Sequence, residues 1–156
     1  MELIPRESFI QVVKNTPLIA IDLVVENEQN EILLGWRRNQ PAKGYWFVPG
    51  GRILKNEKYT DAFKRITKNE LGNEITLPDA LFLGIYEHIY PDENFANEPG
   101  FGTHYIVNAY RISLSNENLI LPTEQHADYR WASIDELLED ANVHENTKNY
   151  FNGFEL

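Results

Sequence analysis

The chain has 156 residues, of which 42% are apolar and 24% charged, as expected for one globular domain with a single core. Its net charge of -10 argues against nucleic acid or an anionic membrane surface as a partner, and the absence of cysteine excludes disulfides and zinc–thiolate sites. No apolar run approaches the ~20 residues of a membrane-spanning helix, and the N-terminus lacks the layout of a signal peptide, so we expect a cytoplasmic protein.

The first third of the chain predicts a helix followed by a hairpin. Pro17 stops the helix, and apolar runs rich in β-branched residues on either side of a polar turn are typical of paired strands. The predicted elements are a helix over residues 5–15, strands over 18–25 and 31–36 joined by a turn at 27–30, and a short strand over 45–48 that enters Pro49-Gly50-Gly51.

The rest of the chain alternates between helices and strands. Asn56 is a favourable N-cap for a helix that runs to about Leu71, where Gly72 is a favourable stop. The further predicted elements are strands over 81–90, 103–112 and 129–131, an exposed loop over 91–100, a helix over 134–140 capped by Ser133, and a last helix over about 144–151. With no repeat or linker, this order predicts one α/β domain over residues 1–156 with a mixed sheet.

The helix predicted after the glycine loop carries a carboxylate on its apolar side. Tyr59, Ala62, Phe63 and Ile66 form a stripe at spacings of three and four residues, and Glu70 is the next position on it. A core-facing carboxylate is costly unless an arginine or a bound cation compensates it, or unless it reaches solvent at the helix end. Because the glycine loop can offer carbonyl oxygens and Mg²⁺ prefers oxygen ligands, the segment is compatible with a magnesium site.

Five residues of this segment resemble the Nudix box. That family pattern is Gly, five residues, Glu, seven residues, and then Arg-Glu-apolar-any-Glu-Glu-any-Gly. The matching residues are Gly51, Glu57, Arg65, Glu70 and Gly72. The resemblance implies the family's fold, an α/β/α sandwich with a mixed β-sheet.

Three positions depart from the Nudix pattern, and the altered box resembles the GDP-mannose mannosyl hydrolase branch of the family. Ile66 and Asn69 replace two Glu residues, and Thr67 replaces an apolar residue. Residues 37–52, 102–105, 124–131 and 142–144 also resemble that branch. The resemblance implies hydrolysis of GDP-mannose, and also of GDP-glucose, to GDP and the free sugar, with inversion after water attacks the anomeric carbon.

The resemblance also implies one Mg²⁺ per active site, with Mn²⁺ as a substitute. Its ligands carry over to the carbonyl oxygen of Gly50, the carboxylate of Glu70 and the side-chain oxygen of Gln125. The two lost box carboxylates favour the same conclusion, because neutral side chains do not balance a cluster of divalent ions.

Three residues are candidates for the chemistry itself. The resemblance assigns the general base to His126, which follows a metal ligand and, with an ordinary pKa near ~6.5, is mostly neutral above neutral pH. Arg52, next to the glycine loop, and Arg37 are candidates for stabilising the leaving diphosphate. Arg38 should face the other way on its strand.

Asp22, Tyr105 and His88 are candidates for substrate binding. Asp22 lies within an apolar run and would contact sugar hydroxyls or orient the base, Tyr105 would lie near the diphosphate, and His88 would contact the sugar or the loop. Each residue also has a purely structural interpretation as part of a strand.

The other polar residues of these segments are interpreted as structural. Glu57 and Arg65 would support the loop and helix of the box, and His104 and His144 would be packing residues. The resemblance implies a homodimer, in which Phe9 and the N-terminal helix would pack.

Two other functions stay open at this point. One is attack on phosphorus in the same substrate, which would release mannose 1-phosphate and GMP. The other is nucleotide binding by a Nudix domain without catalysis.

Overall fold

The computed structural model describes residues 4–122 and 126–153, with Asn116, His126 and Ala127 described by their backbone alone. The helices are α1 (Arg6–Asn15), α2 (Tyr59–Leu71), α3 (Ile134–Glu139) and α4 (Glu145–Lys148). The strands are β1 (Leu18–Glu26), β2 (Glu31–Arg37), β3 (Trp46–Phe47), β4 (Gly50–Arg52), β5 (Leu81–Tyr90), β6 (Thr103–Ser113) and β7 (His126–Ser133).

The strands form one mixed sheet, as the sequence predicts. The order is β3-β2-β1-β6-β5, with β4 paired to β1 and β7 paired to β2. The central pair β1–β6 is parallel, and every other pairing named here is antiparallel. The parallel pairing is possible because α2 and β5 lie between the two strands in sequence and give the chain room to cross over.

The core lies on both faces of the sheet because successive β1 side chains point in opposite directions. Ile21 and Leu23 pack with Phe63 and other residues of α2 on one face. Val24 packs with Leu137 of α3 on the other face. The arrangement is a three-layer sandwich, and it leaves Asp22 on the face opposite α2.

The predicted N-cap of α2 is wrong. Asn56 has a positive φ of 65°, and the helix begins three residues later, at Tyr59, after Lys58 in the cap position. Asn tolerates the left-handed backbone region, so the same residue that favours a cap also suits the turn that precedes this helix. The predicted stop is confirmed, since Gly72 adopts a φ of 77° at the C-terminal end.

Three other element predictions need correction. The glycine loop contains a short strand, β4, because residues 50–52 pair with residues 20–22 of β1. Strand β7 is longer than predicted. The predicted last helix is shortened to α4, which the Nδ1 atom of His144 caps by accepting a hydrogen bond from Asn146 N (3.0 Å). The cap predicted at Ser133 is confirmed, with its Oγ atom accepting from Glu136 N (3.1 Å).

Among the described helices, none combines the length and apolar composition that crossing a membrane requires.

Candidate active site

A cleft of about 320 Å³ opens on the face of the sheet opposite α2. Strands β1, β4, β5 and β6, helix α1 and the loop after β2 all contribute to its lining. The predicted site residues that line it are Asp22, Arg37, Gly50, Arg52, His88 and Tyr105. The fold therefore brings together six residues that the sequence scatters over 84 positions, from 22 to 105.

Close contacts require glycine at position 50 and leave little room for a side chain at position 51. A Cβ atom on Gly50 would lie 2.3 Å from Asp22 Oδ1 and 2.7 Å from the carbonyl oxygen of Ile21. A Cβ atom on Gly51 would lie 3.1 Å from Ile66 Cγ1. The two glycines let β4 pack closely against both β1 and α2.

Glu70 is buried at the end of the apolar stripe of α2. Its exposed fraction is 7%, and among the residues that the structure describes its Oε2 atom has no hydrogen-bond partner. Burial raises the pKa of Glu70 to about 7, with Asp22 adding to the rise and Arg37 opposing it. The alternative of a solvent-reaching carboxylate is thus wrong, and no arginine pairs with Glu70 within residues 4–122 and 126–153. Glu70 does not itself line the cleft.

The two non-acidic box positions lie outside the site. Ile66 is 1% exposed and belongs to the core beneath Gly51. Asn69 points to solvent. The acidic set of the box on α2 is therefore reduced to Glu70, because Glu57 precedes the helix and has another partner.

Glu57 and Arg65 clamp the loop to the helix, as the sequence predicts. Arg65 donates to both carboxylate oxygens of Glu57, at 2.6 and 3.0 Å, and to the carbonyl oxygen of Arg52 at 2.8 Å. Glu57 also accepts from the backbone N–H of Leu54 (3.0 Å). The hydrogen bonds from Arg65 hold the pKa of Glu57 below its usual range. We call residues 50–72 the loop–helix unit.

Arg37 and Arg52 carry positive charge into the cleft from two sides. Arg37 is held by its own loop, since its Nε donates to the carbonyl oxygen of Pro41 (3.1 Å). The guanidinium of Arg52 lies 4.4 Å from the ring centre of Phe9, and burial lowers its pKa. Arg38 is exposed and does not line the cleft, as expected.

Three polar side chains meet at the inner wall of the cleft. The hydroxyl of Tyr150 donates to Asp22 Oδ2 (2.5 Å) and lies 3.3 Å from His88 Nε2. Burial raises the pKa of Asp22 to about 7 against the effects of Tyr150 and Arg37, and burial lowers the pKa of His88 to about 3. We call these residues the Asp22–Tyr150–His88 cluster.

Five aromatic residues of the site are missing from the sequence prediction. Phe9, Phe47, Tyr90 and Phe95 line the cleft, and Tyr150 reaches the inner wall from the turn after α4. The rings of Phe9 and Phe95 lie 4.8 Å apart. Phe9, which was expected in a dimer contact, lines the cleft of its own chain; the dimer contact stays a prediction. The apolar spacing of α1 predicts a buried face, but no signal in the sequence identifies Tyr150.

Gln125 lies outside the described residues, so its predicted ligand role stays a prediction. The backbone of His126 begins β7 and is the ladder partner of Arg37. This pairing brings position 126 beside a residue that lines the cleft. The base role of His126 also stays a prediction.

The buried carboxylate of Glu70 fits a divalent cation, for which the other predicted ligands are not carboxylates. No three His, Asp or Glu side chains within the described ranges are grouped as a metal cluster. The predicted ligand set needs no such cluster, because it combines one carboxylate with a carbonyl and an amide oxygen. The unpartnered buried oxygen of Glu70 is the observation that fits a hard cation.

Comparison with known proteins agrees with this geometry. Residues 16–152 match the NUDIX domain family. Low-salt glycan biosynthesis protein Agl8 of Haloferax volcanii is 39% identical over 127 residues, which cover 81% of this chain and 78% of that protein. ADP-ribose pyrophosphatase of Methanocaldococcus jannaschii is 39% identical over 56 residues, or 36% of this chain and 32% of that protein. The crystal structure of a MutT protein from Methanosarcina mazei Go1 has the same fold, with a TM-score of 0.67 at 20% identity over 88% of this chain and 92% of that one.

Proposed function

This chain belongs to the Nudix family of hydrolases, and from that premise we propose that it hydrolyses GDP-mannose to GDP and free mannose by attack of water at the anomeric carbon. GDP-glucose is proposed as a second substrate. The observation that carries the proposal is the reduced acidic set on α2, in which Ile66 is a core residue, Asn69 faces solvent and Glu70 alone is a buried carboxylate.

The reduced acidic set supports attack on carbon. Displacement at phosphorus is commonly served by clusters of divalent ions that clamp both the attacking and the leaving oxygen. One buried carboxylate on α2 supports a single Mg²⁺, or Mn²⁺ in its place. A single cation suffices for a diphosphate that departs as a leaving group, because only that group gains negative charge.

The proposed metal ligands are the carbonyl oxygen of Gly50, the carboxylate of Glu70 and the side-chain oxygen of Gln125. When bound, Mg²⁺ supplies positive charge that stabilises the departing diphosphate. Two observations support this set: Gly50 packs closely against Asp22, and the Oε2 atom of Glu70 has no hydrogen-bond partner among the described residues.

The side chains of the cleft form two groups, one proposed to bind the diphosphate and the other the sugar. Arg37 and Arg52 are donors and bind the diphosphate, whose oxygens are acceptors only. Asp22 and His88 lie at the inner wall and bind the sugar, whose hydroxyls can donate. Tyr105 lies on β6, the strand between β1 and β5, and lines the cleft. It is proposed to contact the diphosphate.

His126 is proposed as the general base that removes a proton from the attacking water. Its place opposite Arg37 in the β2–β7 ladder supports the assignment. We expect His126→Gln to lower turnover by ~10²–10⁴, the usual worth of a general base, with little change in substrate affinity. An unchanged rate would move the base to another residue.

The relative from Haloferax volcanii supports a sugar nucleotide as the substrate, since its name places it in glycan biosynthesis. Attack on phosphorus is the second candidate, and the name of the partial match, ADP-ribose pyrophosphatase, favours it. The reduced acidic set favours the first. A homodimer is proposed on the family resemblance alone, and a cytoplasmic location on the sequence features described above.

Hydrolysis of GDP-mannose in H₂¹⁸O with Mg²⁺ separates these functions. Attack on carbon places the label in free mannose and leaves GDP unlabelled. Label in GMP or mannose 1-phosphate would establish attack on phosphorus and sink the proposal. Binding without turnover, with Mg²⁺ or Mn²⁺ present, would establish a binding domain instead.

A further inference from the structure

The Asp22–Tyr150–His88 cluster joins three distant parts of the chain through one hydroxyl. Asp22 lies on β1, His88 on β5 and Tyr150 in the turn after α4. The exposed fractions of Asp22 and His88 are 7% and 4%. A polar group buried to this degree is costly unless it is hydrogen-bonded, so the shared hydroxyl stabilises both side chains.

Counting protons gives the state of His88 when Asp22 is ionised, above its raised pKa of about 7. A tyrosine hydroxyl carries one proton, and Tyr150 donates it to Asp22 Oδ2. Toward His88 Nε2, 3.3 Å away, the phenol oxygen is therefore an acceptor, so Nε2 carries the ring proton. Burial lowers the pKa of His88 to about 3, which leaves the ring with a single proton near neutral pH. Nδ1 is then a bare acceptor.

Two acceptors result at the inner wall. Within the described residues no hydrogen bond reaches Asp22 Oδ1 or His88 Nδ1, and both residues line the cleft. An acceptor pair selects a ligand that donates, such as a polyhydroxylated sugar, and repels phosphate oxygens. The arginines at the other side of the cleft have the opposite preference.

We propose that Tyr150 is a positioning residue that fixes the Asp22 carboxylate and the Nε2–H tautomer of His88, and so builds an acceptor pair for the hydroxyls of the substrate's sugar. The sugar as ligand rests on the proposed function, whereas the tautomer does not. The Tyr150 ring is held independently of its hydroxyl, because it packs edge-on against Tyr86 with ring centres 4.7 Å apart. Replacement by phenylalanine should therefore remove the hydroxyl and leave the packing.

The first test compares Tyr150→Phe with Tyr59→Phe. The hydroxyl of Tyr59 is also hydrogen-bonded, at 2.9 Å from that of Tyr110, but it lies in the core on the α2 face. We expect Tyr150→Phe to lower kcat/KM for GDP-mannose by about 10- to 100-fold, the worth of a hydrogen bond to a charged group. The dissociation constant of GDP should change less than 2-fold, because GDP lacks the sugar. Tyr59→Phe should leave both constants within about 2-fold of wild type.

Two results would overturn the proposal in this test. One is a kcat/KM for Tyr150→Phe equal to that of Tyr59→Phe. The other is an equal weakening of GDP binding, which would indicate a general structural role. If the wild-type chain turns over no nucleotide sugar, the proposed function fails and the tautomer is tested by itself.

The second test observes the imidazole directly and needs no substrate. Long-range ¹H–¹⁵N spectra distinguish the two neutral tautomers, and the signals of His88 are those that disappear in His88→Gln. We expect the Nε2–H tautomer in the wild-type chain and a mixture of tautomers in Tyr150→Phe. A wild-type Nδ1–H tautomer, or an unchanged ratio in the variant, would refute the positioning role of Tyr150.

Discussion

The two sides of the cleft are built in different ways. The loop–helix unit takes its groups from residues 50–72, so the chain needs one turn and one helix to bring them together. The Asp22–Tyr150–His88 cluster takes its groups from positions 128 residues apart and forms only when β1, β5 and the C-terminal turn are all in place. The first side depends on local structure, and the second depends on the completed fold.

The two sides also differ in their charge. The loop–helix unit carries Glu70, whose buried Oε2 atom has no hydrogen-bond partner among the described residues, and Arg52, which adds positive charge to the cleft. The cluster holds a neutral imidazole and Asp22, whose pKa burial raises to about 7, so this side of the cleft carries at most one negative charge. A substrate with an anionic part and a hydroxyl-rich part has one matching orientation in such a cleft. Variants on each side should therefore affect different parts of the substrate.

Glu70→Gln should have the largest effect and tests the loop–helix side. The amide keeps the shape of the side chain but loses the charge that would hold the cation. We expect kcat/KM at limiting Mg²⁺ to fall by ~10²–10³, as for removal of one electrostatic stabiliser. Asp61→Asn removes an exposed carboxylate of the same helix and is the control. Equal activity of the two variants at limiting metal would contradict the ligand role of Glu70.

Arg37→Gln and Arg38→Gln compare adjacent arginines. Arg37 lines the cleft, whereas Arg38 is exposed outside it. Loss of a charge-assisted hydrogen bond to the diphosphate should cost about 1.5–3 kcal/mol of transition-state stabilisation, or about 10- to 100-fold in kcat/KM. Arg38→Gln should stay within about 2-fold of wild type. Steady-state rates with GDP-mannose give both values, and similar losses would indicate a general effect of net charge.

Glu57→Gln tests whether the ion pair between Glu57 and Arg65 stabilises the loop–helix unit. The variant weakens the two bonds with Arg65, at 2.6 and 3.0 Å, and leaves that guanidinium without its counter-charge. We expect a loss of about 1.5–3 kcal/mol in the free energy of unfolding, measured by urea titration. The His88 tautomer should be unchanged, because the cluster does not contact the clamp. A change in that tautomer would show that the two sides are coupled.

The smallest expected effect is the change with pH in the stability that His88 contributes. The pKa of His88 is about 3 in the folded chain against ~6.5 when unfolded, so the unfolded state binds more protons between these values. The contribution of His88 to stability is therefore complete above pH 6.5 and falls by about 1.4 kcal/mol for each pH unit below it. Asp22 has the opposite slope, since its folded pKa of about 7 is raised.

Comparing the free energy of unfolding of wild type with that of His88→Gln isolates the contribution of His88. The difference in the free energy of unfolding between wild type and His88→Gln should be constant from pH 7 to 8 and should shrink as pH falls toward 5. Urea titrations at pH 5, 6, 7 and 8 measure it. A difference that does not vary with pH would show that His88 binds a proton in the folded chain at its ordinary pKa.

The same contrast explains which parts could be predicted from sequence. The stripe Ala62, Phe63, Ile66 and Glu70 has a helical period, so its buried face and the fate of its carboxylate follow from spacing. The mixed sheet and most element bounds are predictable for the same reason. The turn at Asn56 is not, because the residue that caps a helix also tolerates a left-handed turn.

The Asp22–Tyr150–His88 cluster shows what could not be predicted from the sequence. Asp22 is identifiable as a carboxylate within an apolar run, but nothing near it in sequence indicates its partner. Tyr150 lies in a segment where the sequence predicts a longer helix, and the observed turn after α4 determines where its hydroxyl reaches. Phe9 shows a related limit, since an apolar face on a first helix does not indicate that this residue lines the cleft.

Position 50 has a consequence for how the site could change over generations. Any side chain there would collide with Asp22 Oδ1 at 2.3 Å and with the backbone of Ile21 at 2.7 Å. The collision would push the turn proposed to bind the metal and the wall proposed to bind the sugar apart at the same time. Saturation mutagenesis of this codon, followed by selection for turnover, should return glycine alone, and new substrate preferences should arise from neighbouring positions instead.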